Sequence, residues 1–234
     1  MTPRHILCCG RMILLSCLLL WGTPLYAVEY MPLEIGNYWI YETAEGQSET
    51  LVITEMATIF GQEVFVRECT ESTYNLGLKN FWTSGDDGDV LLYGYTLEFG
   101  FAYDPPILLI DAPLNVGKTW TQEFNVYMLP DTTFYDVWEI TMEVVEEGLY
   151  EVGAGTFPGY GLNSYISMRA NPMEGFSLTG QMADSDQKDP DYWFSDGVGQ
   201  IQYHTDDFYM LESYFGGTTA TESFAWDGVK ALFR

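Results

Sequence analysis

From residue 28 onward the chain repeats short stretches rich in Val, Ile, Thr, Tyr, Phe and Trp, cut by Gly, Asp, Asn or Pro. Within the stretches apolar and polar residues alternate, which places one set of side chains on each face of a pleated strand and predicts antiparallel β structure. The predicted strands are 37–42, 50–56, 63–69, 78–83, 90–97, 120–128, 138–145, 164–170, 192–194, 200–204 and 208–214. Turn signals lie between them at Glu45-Gly46, Asp86-Asp87-Gly88-Asp89, Glu147-Gly148 and Asp196-Gly197, where glycine supplies a positive φ and Asp or Asn supplies local hydrogen bonds. No stretch before residue 220 keeps apolar residues at three- and four-residue spacing for three turns, so a central helix is not expected. The pattern predicts an all-β domain. With this many strands the sheet must curve or stack to hide one face, as a half-barrel, barrel or sandwich.

One segment is echoed within the chain. Pro32-Leu33-Glu34-Ile35-Gly36-Asn37-Tyr38-Trp39 recurs as Pro113-Leu114-Asn115-Val116-Gly117-Lys118-Thr119-Trp120, with Glu42 matched by Glu123. Each copy reads as an extended entry, a glycine turn and a tryptophan opening a strand, which predicts two similar halves.

The two ends differ from this body. Arg4 and Arg11 precede the apolar run Met12–Trp21, followed by Gly22, Thr23, Pro24 and Ala27, the order of an export signal over 1–27. The run is too short to cross a bilayer as a helix. Leu14-Leu15-Ser16-Cys17 offers the alternative of a lipoprotein signal with Cys17 acylated, against cleavage after Ala27. Residues 28–214 then form one β domain, and 215–234 a linker with a short amphipathic helix. That helix presents Ala225, Trp226, Val229, Leu232 and Phe233 on one face, either for packing on the sheet or for docking on a partner through Trp226, Val229 and Phe233. With Cys8, Cys9 and Cys17 in the leader, Cys69 is left alone in the body and is expected to be a small buried side chain.

Charge narrows the partners. The chain carries 34 acidic and 9 basic residues, a formal net charge of −25, and the leader contains two of the basic residues and no acid. Such a field disfavours nucleic acid or an anionic membrane surface as a simple electrostatic partner. Ala112-Pro113-Leu114-Asn115-Val116-Gly117-Lys118-Thr119 matches a relaxed phosphate-binding loop, but such a loop needs a helix behind it, and Trp120, Gln122, Phe124, Val126 and Met128 alternate as a strand. A nucleotide is therefore not expected. One body histidine, His204, and one body cysteine leave no soft-metal ligand set, and no G-x-S-x-G elbow accompanies His204 as a base.

Carboxylate pairs for glycoside hydrolysis are abundant, yet nothing singles out one pair. The acidic loops 184–191 and 86–89 lack the spacing of a twelve-residue calcium loop. Aromatic residues on alternating positions are explained by packing, with a carbohydrate-stacking face as the alternative. No catalytic, cofactor-binding or metal-ligating residue is assigned.

The motifs running from Tyr30 to Trp39, Pro113 to Trp120, Ala154-Gly155-Thr156-Phe157 and Trp193-Phe194-Ser195-Asp196-Gly197-Val198-Gly199-Gln200-Ile201 resemble a family of uncharacterised bacterial secreted or lipid-anchored proteins. More distantly they resemble LolA-like half-barrels, and that resemblance implies a curved sheet sheltering an apolar, lipid-like ligand, with no catalytic residue to carry over. The reading is an exported, periplasmic or envelope-associated, non-catalytic binding protein with an apolar or carbohydrate ligand. The alternatives are a surface-associated structural protein docking through its C-terminal helix and a carboxylate-dependent glycosidase.

Overall fold

Along β8 (Thr133–Val152) the side chains of Trp138, Ile140, Met142 and Val144 are buried, while Glu139, Thr141 and Glu143 between them face outward. The same alternation runs through β1 (Tyr38–Thr43) and β7 (Thr119–Leu129), where Trp39, Tyr41, Phe124 and Val126 turn inward. A computed structural model of the protein describes residues 29–85, 87–97, 99–168, 190–204 and 208–215. Its remaining strands are β2 (Ser48–Ile59), β3 (Gln62–Glu71), β4 (Lys79–Ser84), β5 (Val90–Thr96), β6 (Gly100–Ile110), β9 (Gly155–Met168), β10 (Tyr192–Ser195), β11 (Gly199–His204) and β12 (Phe208–Phe215).

Every strand pairs antiparallel with its sequence neighbours, and β1 pairs with β12, so the twelve strands close into a barrel. Among the three curved or stacked alternatives the sheet takes the closed one, which leaves no unpaired edge. Apolar side chains dominate the inside, and among the described residues the acids lie outside except Glu49. The leader, the 184–189 part of the acidic loop, and residues 216–234 with the expected helix and Trp226, Val229 and Phe233 lie outside the described residues; Phe215, expected to open the linker, ends β12 instead.

Two of the expected boundaries are corrected. β6 was not predicted, because Pro105 and Pro106 interrupt it and a proline cannot donate to a ladder. Its backbone pairing with β7 runs from Gly100↔Leu129 only as far as Asp104↔Asn125. Beyond that point Gln122 stands in for the missing ladder: its side-chain oxygen accepts from Leu108 N at 2.8 Å and its amide donates to Pro106 O at 2.8 Å. Trp120 Nε1 adds a bond to Leu108 O at 2.8 Å. The second correction is Glu147-Gly148, which lies inside β8 opposite Tyr160 and Gly159 and makes no turn. The reversal comes at Gly153-Ala154, because Gly148 is simply a ladder residue in a longer strand.

The internal echo has one geometry in both copies. Gly36 N donates to Ile53 O at 2.8 Å, Asn37 N to Glu34 O at 3.0 Å, and Ile53 N to Asn37 O at 2.9 Å. In the second copy Gly117 N donates to Val144 O at 2.8 Å, Lys118 N to Asn115 O at 3.0 Å, and Val144 N to Lys118 O at 2.9 Å. Gly36 and Gly117 both have φ near +90°, at 97° and 86°, the conformation that requires glycine. A bulge follows each receiving residue, between Ile53 and Glu55 and between Val144 and Glu146. The same turn occurs a third time without the Pro-Leu entry: Gly77 N donates to Cys69 O and Leu78 N to Asn75 O, both at 2.8 Å.

The motifs that carried the resemblance meet at one end of the barrel. Tyr30, Met31, Pro32 and Leu33 are buried there, Trp39 Nε1 donates to Val198 O at 2.7 Å, and Gly197 N donates to Glu29 O at 2.8 Å. Ala154 N reaches Leu211 O at 3.0 Å. The segment before β1 thus plugs this end, and the motif residues are accounted for as packing and turn chemistry.

Candidate functional site

The sheet has a second, smaller apolar cluster on the face of β3 and β4 that points away from the interior. Val64, Val66, Phe81 and Tyr93 form it, with Ala57, Ile59, Leu91 and Leu129 packed around them. The β2–β3 turn and the β7–β8 turn approach one another beside that cluster, where the Phe60 ring meets Tyr127. Between them lies a cleft of about 490 Å³ lined by Ala57, Thr58, Ile59, Phe60, Phe81, Thr96, Leu129, Pro130 and Thr132. Its size falls in the range of small-molecule pockets. No lining residue is charged; the polar lining residues are Thr58, Thr96 and Thr132.

Two backbone conformations mark this cleft. Phe60 at φ 49° and Thr132 at φ 51° are the non-glycine residues with left-handed φ among the described residues, and both line it. A bulky or β-branched residue held there costs of order 1–3 kcal/mol, and such strain gathers at functional sites. Phe60 stacks edge-to-face on Tyr127 with ring centroids 5.1 Å apart, and Tyr127 on Phe134 at 5.9 Å.

Inside the barrel a polar cluster breaks the apolar packing. Glu49 on β2 and Arg67 on β3 are only 2% and 6% exposed. Arg67 donates to Gln200 Oε1 at 3.3 Å and to Asn80 Oδ1 at 3.4 Å, and its guanidinium lies 4.8 Å from the Trp82 ring centre. The Arg67 Nε hydrogen has no partner. Tyr203 donates to Glu49 Oε2 at 2.5 Å, and Tyr41 donates to Gln200 O at 2.8 Å. Burial pulls Arg67 below the ordinary arginine range. Burial and the nearby Glu49 carboxylate push the Tyr203 phenol far up, and burial does the same for Tyr41 against the opposing pull of Arg67. Strands β1, β2, β3, β4 and β11 each contribute, so the cluster ties the two ends of the chain's β domain together.

These phenols give stability a pH dependence. Their folded pKa values lie above the unfolded value near 10, so the folded state holds protons that the unfolded state releases. The contribution of Tyr41, Tyr103 and Tyr203 is complete below about pH 10 and falls away as pH rises toward their folded values. Thermal unfolding followed from pH 8 to 11 is expected to show a midpoint that is level at first and drops above about 10. A midpoint that keeps rising through pH 11 would contradict the assignment.

The residues weighed from sequence have ordinary places. Thr119 begins strand β7, and Lys118 is bound to Asp111 by a 3.1 Å ion pair and by donation to the Asp111 and Pro113 carbonyls. Its ammonium therefore braces the β6–β7 turn. Cys69 is buried as expected, with its thiol pushed up to about 12 chiefly by desolvation and secondly by Glu49. His204 ends β11 opposite Phe208. Asp89 Oδ1 accepts from Ala112 N at 2.8 Å, and Asp191 Oδ2 accepts from Ser164 N at 2.7 Å, so both acids serve as loop braces. Among the described residues no group of three His, Cys, Asp or Glu side chains is placed to hold a metal ion, and no carboxylate lines the cleft.

The cleft residues themselves were missed from sequence. The available signal was Phe60-Gly61 ending a long apolar hairpin, a two-residue turn with a bulky residue where Asn or Asp is usual.

No family model matches the chain, and no curated protein matches it. Two solved structures are similar in fold. One is a presumed lipoprotein from Parabacteroides distasonis, 12% identical, TM-score 0.42, covering 81% of this chain and 99% of that one. The other is a presumed exported protein with a YmcC-like fold from Bacteroides fragilis, 13% identical, TM-score 0.46, covering 80% and 99%.

Proposed function

We propose that this is an exported, envelope-associated or secreted, non-catalytic binding protein that holds an apolar, lipid-like group in the cleft between the β2–β3 and β7–β8 turns. The observation that carries the reading is the coincidence of an uncharged cleft of about 490 Å³ with both strained residues, Phe60 and Thr132, on its wall. Export rests on Arg4, Arg11 and the Met12–Trp21 run. The barrel interior is a poor alternative for the ligand, because Trp39, Tyr41, Phe124 and Phe194 are among the large side chains fully buried there. Side chains packed to that degree leave little room for an alkyl chain. The cleft instead offers contact with aliphatic and aromatic carbon, worth about 0.8 kcal/mol for each methylene taken from water.

Filling the cleft tests this. Ala57→Trp and Thr96→Trp each place an indole on the lining while leaving the inner core alone. Either is expected to weaken binding of the neutral apolar fluorophore N-phenyl-1-naphthylamine by at least about tenfold, the equivalent of some 1.4 kcal/mol, with unchanged circular dichroism. Binding that survives both changes would refute the cleft as the site.

A further inference from the structure

The edge of the cleft carries a feature that apolar contact alone does not use. Phe60, Tyr127 and Phe134 form a run of three rings, each turned edge-to-face on the next, at interplanar angles of 62° and 78°. Phe60 is 41% and Phe134 51% exposed. Rings tilted in this way leave faces open to solvent, and an aromatic face attracts a cation within about 6 Å of its centre. Among the described residues no positive side chain competes for them. Arg67 is inside the barrel, Lys79 is paired with Glu55 and Glu68 at 3.4 and 3.5 Å, and Lys118 with Asp111 at 3.1 Å. These are all the basic residues in the described part of the chain.

Two exposed acids adjoin lining residues. Asp131 sits between the lining residues Pro130 and Thr132, and Glu63 lies cross-strand from the lining residue Thr58; both are exposed. Over the whole chain the formal charge is −25, a field that draws cations toward the surface and repels anions.

We infer that the ligand is a cationic amphiphile, with its apolar tail in the cleft and an alkylammonium head against the faces of Phe60, Tyr127 and Phe134. This rests on the cleft being the apolar site. The tail supplies affinity by burial, and the rings and carboxylates supply the choice of head. Anionic amphiphiles of the same tail length are rejected, since a sulfate or carboxylate head would meet ring faces and acids with no donor cation among the described residues.

Three probes with the same twelve-carbon tail separate the two parts: dodecyltrimethylammonium, dodecyl maltoside and dodecyl sulfate, titrated below their micelle concentrations and followed by calorimetry. The trimethylammonium probe is expected to bind about tenfold more tightly than the maltoside, the factor that about 1.4 kcal/mol of cation–π attraction provides, and the sulfate most weakly. Repeating the titration in about 0.5 M salt screens the general field and leaves the ring contribution. The double variant Tyr127→Leu/Phe134→Leu removes two of the three rings without touching a lining residue, so maltoside binding should persist while the ammonium preference disappears. An ammonium preference that is absent in the native protein at high salt, or that survives the double variant, overturns this inference and leaves the cleft standing. Failure of all three probes to bind overturns the cleft reading and the inference with it.

Discussion

Arg67→Met is expected to destabilise the folded barrel by about 3–5 kcal/mol, the usual consequence of removing one partner from a buried charged network. The loss would come from what is left behind. Glu49, 2% exposed, keeps its bond from Tyr203 at 2.5 Å but loses the nearby positive charge, and Gln200 and Asn80 lose the donors that reach them at 3.3 and 3.4 Å. Methionine fills much of the volume, so the cost is electrostatic and polar rather than a cavity. The control is Glu49→Gln/Arg67→Met. Removing both charges leaves no buried ion to compensate, and it also abolishes the orphaned Nε donor of Arg67, a group that costs about 1–3 kcal/mol when unpaired. The double variant should therefore regain most of the native urea midpoint with an unchanged denaturant slope. If the single variant matched the native protein, the two residues would be energetically independent despite sharing one cluster.

This cluster also shows what a sequence conceals. Glu49 and Arg67 each stand in a strand that reads as alternating, but on positions where alternation points inward, and a polar residue at an inward position looks like a break in the pattern until the partner strand is known. Arg67 is answered from Gln200, 133 residues away. No local signal couples such positions, and only barrel closure brings β11 across from β3.

The fold itself was legible because its causes are local. Glycines at Gly36, Gly46, Gly88 and Gly197, all with positive φ, end strands for a conformational reason that the chain displays at each site. The echo of Pro32–Trp39 in Pro113–Trp120 predicted shared geometry, and the two turns repeat it bond for bond. β6 escaped notice for an equally physical reason. Two prolines removed its donors, and the ladder was completed by Gln122 and Trp120 side chains from the next strand, which no propensity records. Closure into a barrel depends on register and twist accumulated over twelve strands, so the sequence left barrel, half-barrel and sandwich open. The cleft arises at a higher level still, from two turns about 70 residues apart that meet only in the closed barrel.

At Gly94 and Gly100 the β5 and β6 backbones come closest to an added Cβ, and alanine at either is expected to cost more than about 4 kcal/mol, beyond the common range for single substitutions. Gly94 has φ 149°, a region L-residues rarely enter, and faces Ala102 across the β5–β6 pair. A Cβ there would press into the Phe101 carbonyl oxygen and lie 2.9 Å from Ala102 Cα. At Gly100, opposite Thr96, a Cβ would overlap the Tyr95 carbonyl and stand 2.5 Å from Thr96 Cα. In both cases the obstacle is backbone, which cannot rotate away as a side chain could, so the β5–β6 hairpin would have to open. Opening it moves Thr96 and Leu129, the latter paired with Gly100, and both line the cleft. Gly94→Ala and Gly100→Ala should consequently lower the unfolding midpoint steeply and weaken apolar-probe binding together. Gly36→Ala offers a contrast, since nothing lies within 4 Å of its added Cβ and only its φ of 97° opposes the change. Its loss should be the smaller, with probe affinity intact, because the Gly36 turn lies at the plugged end of the barrel. Equal losses at Gly36 and Gly100 would mean that backbone conformation, and not the close approach of β5 to β6, governs these glycines.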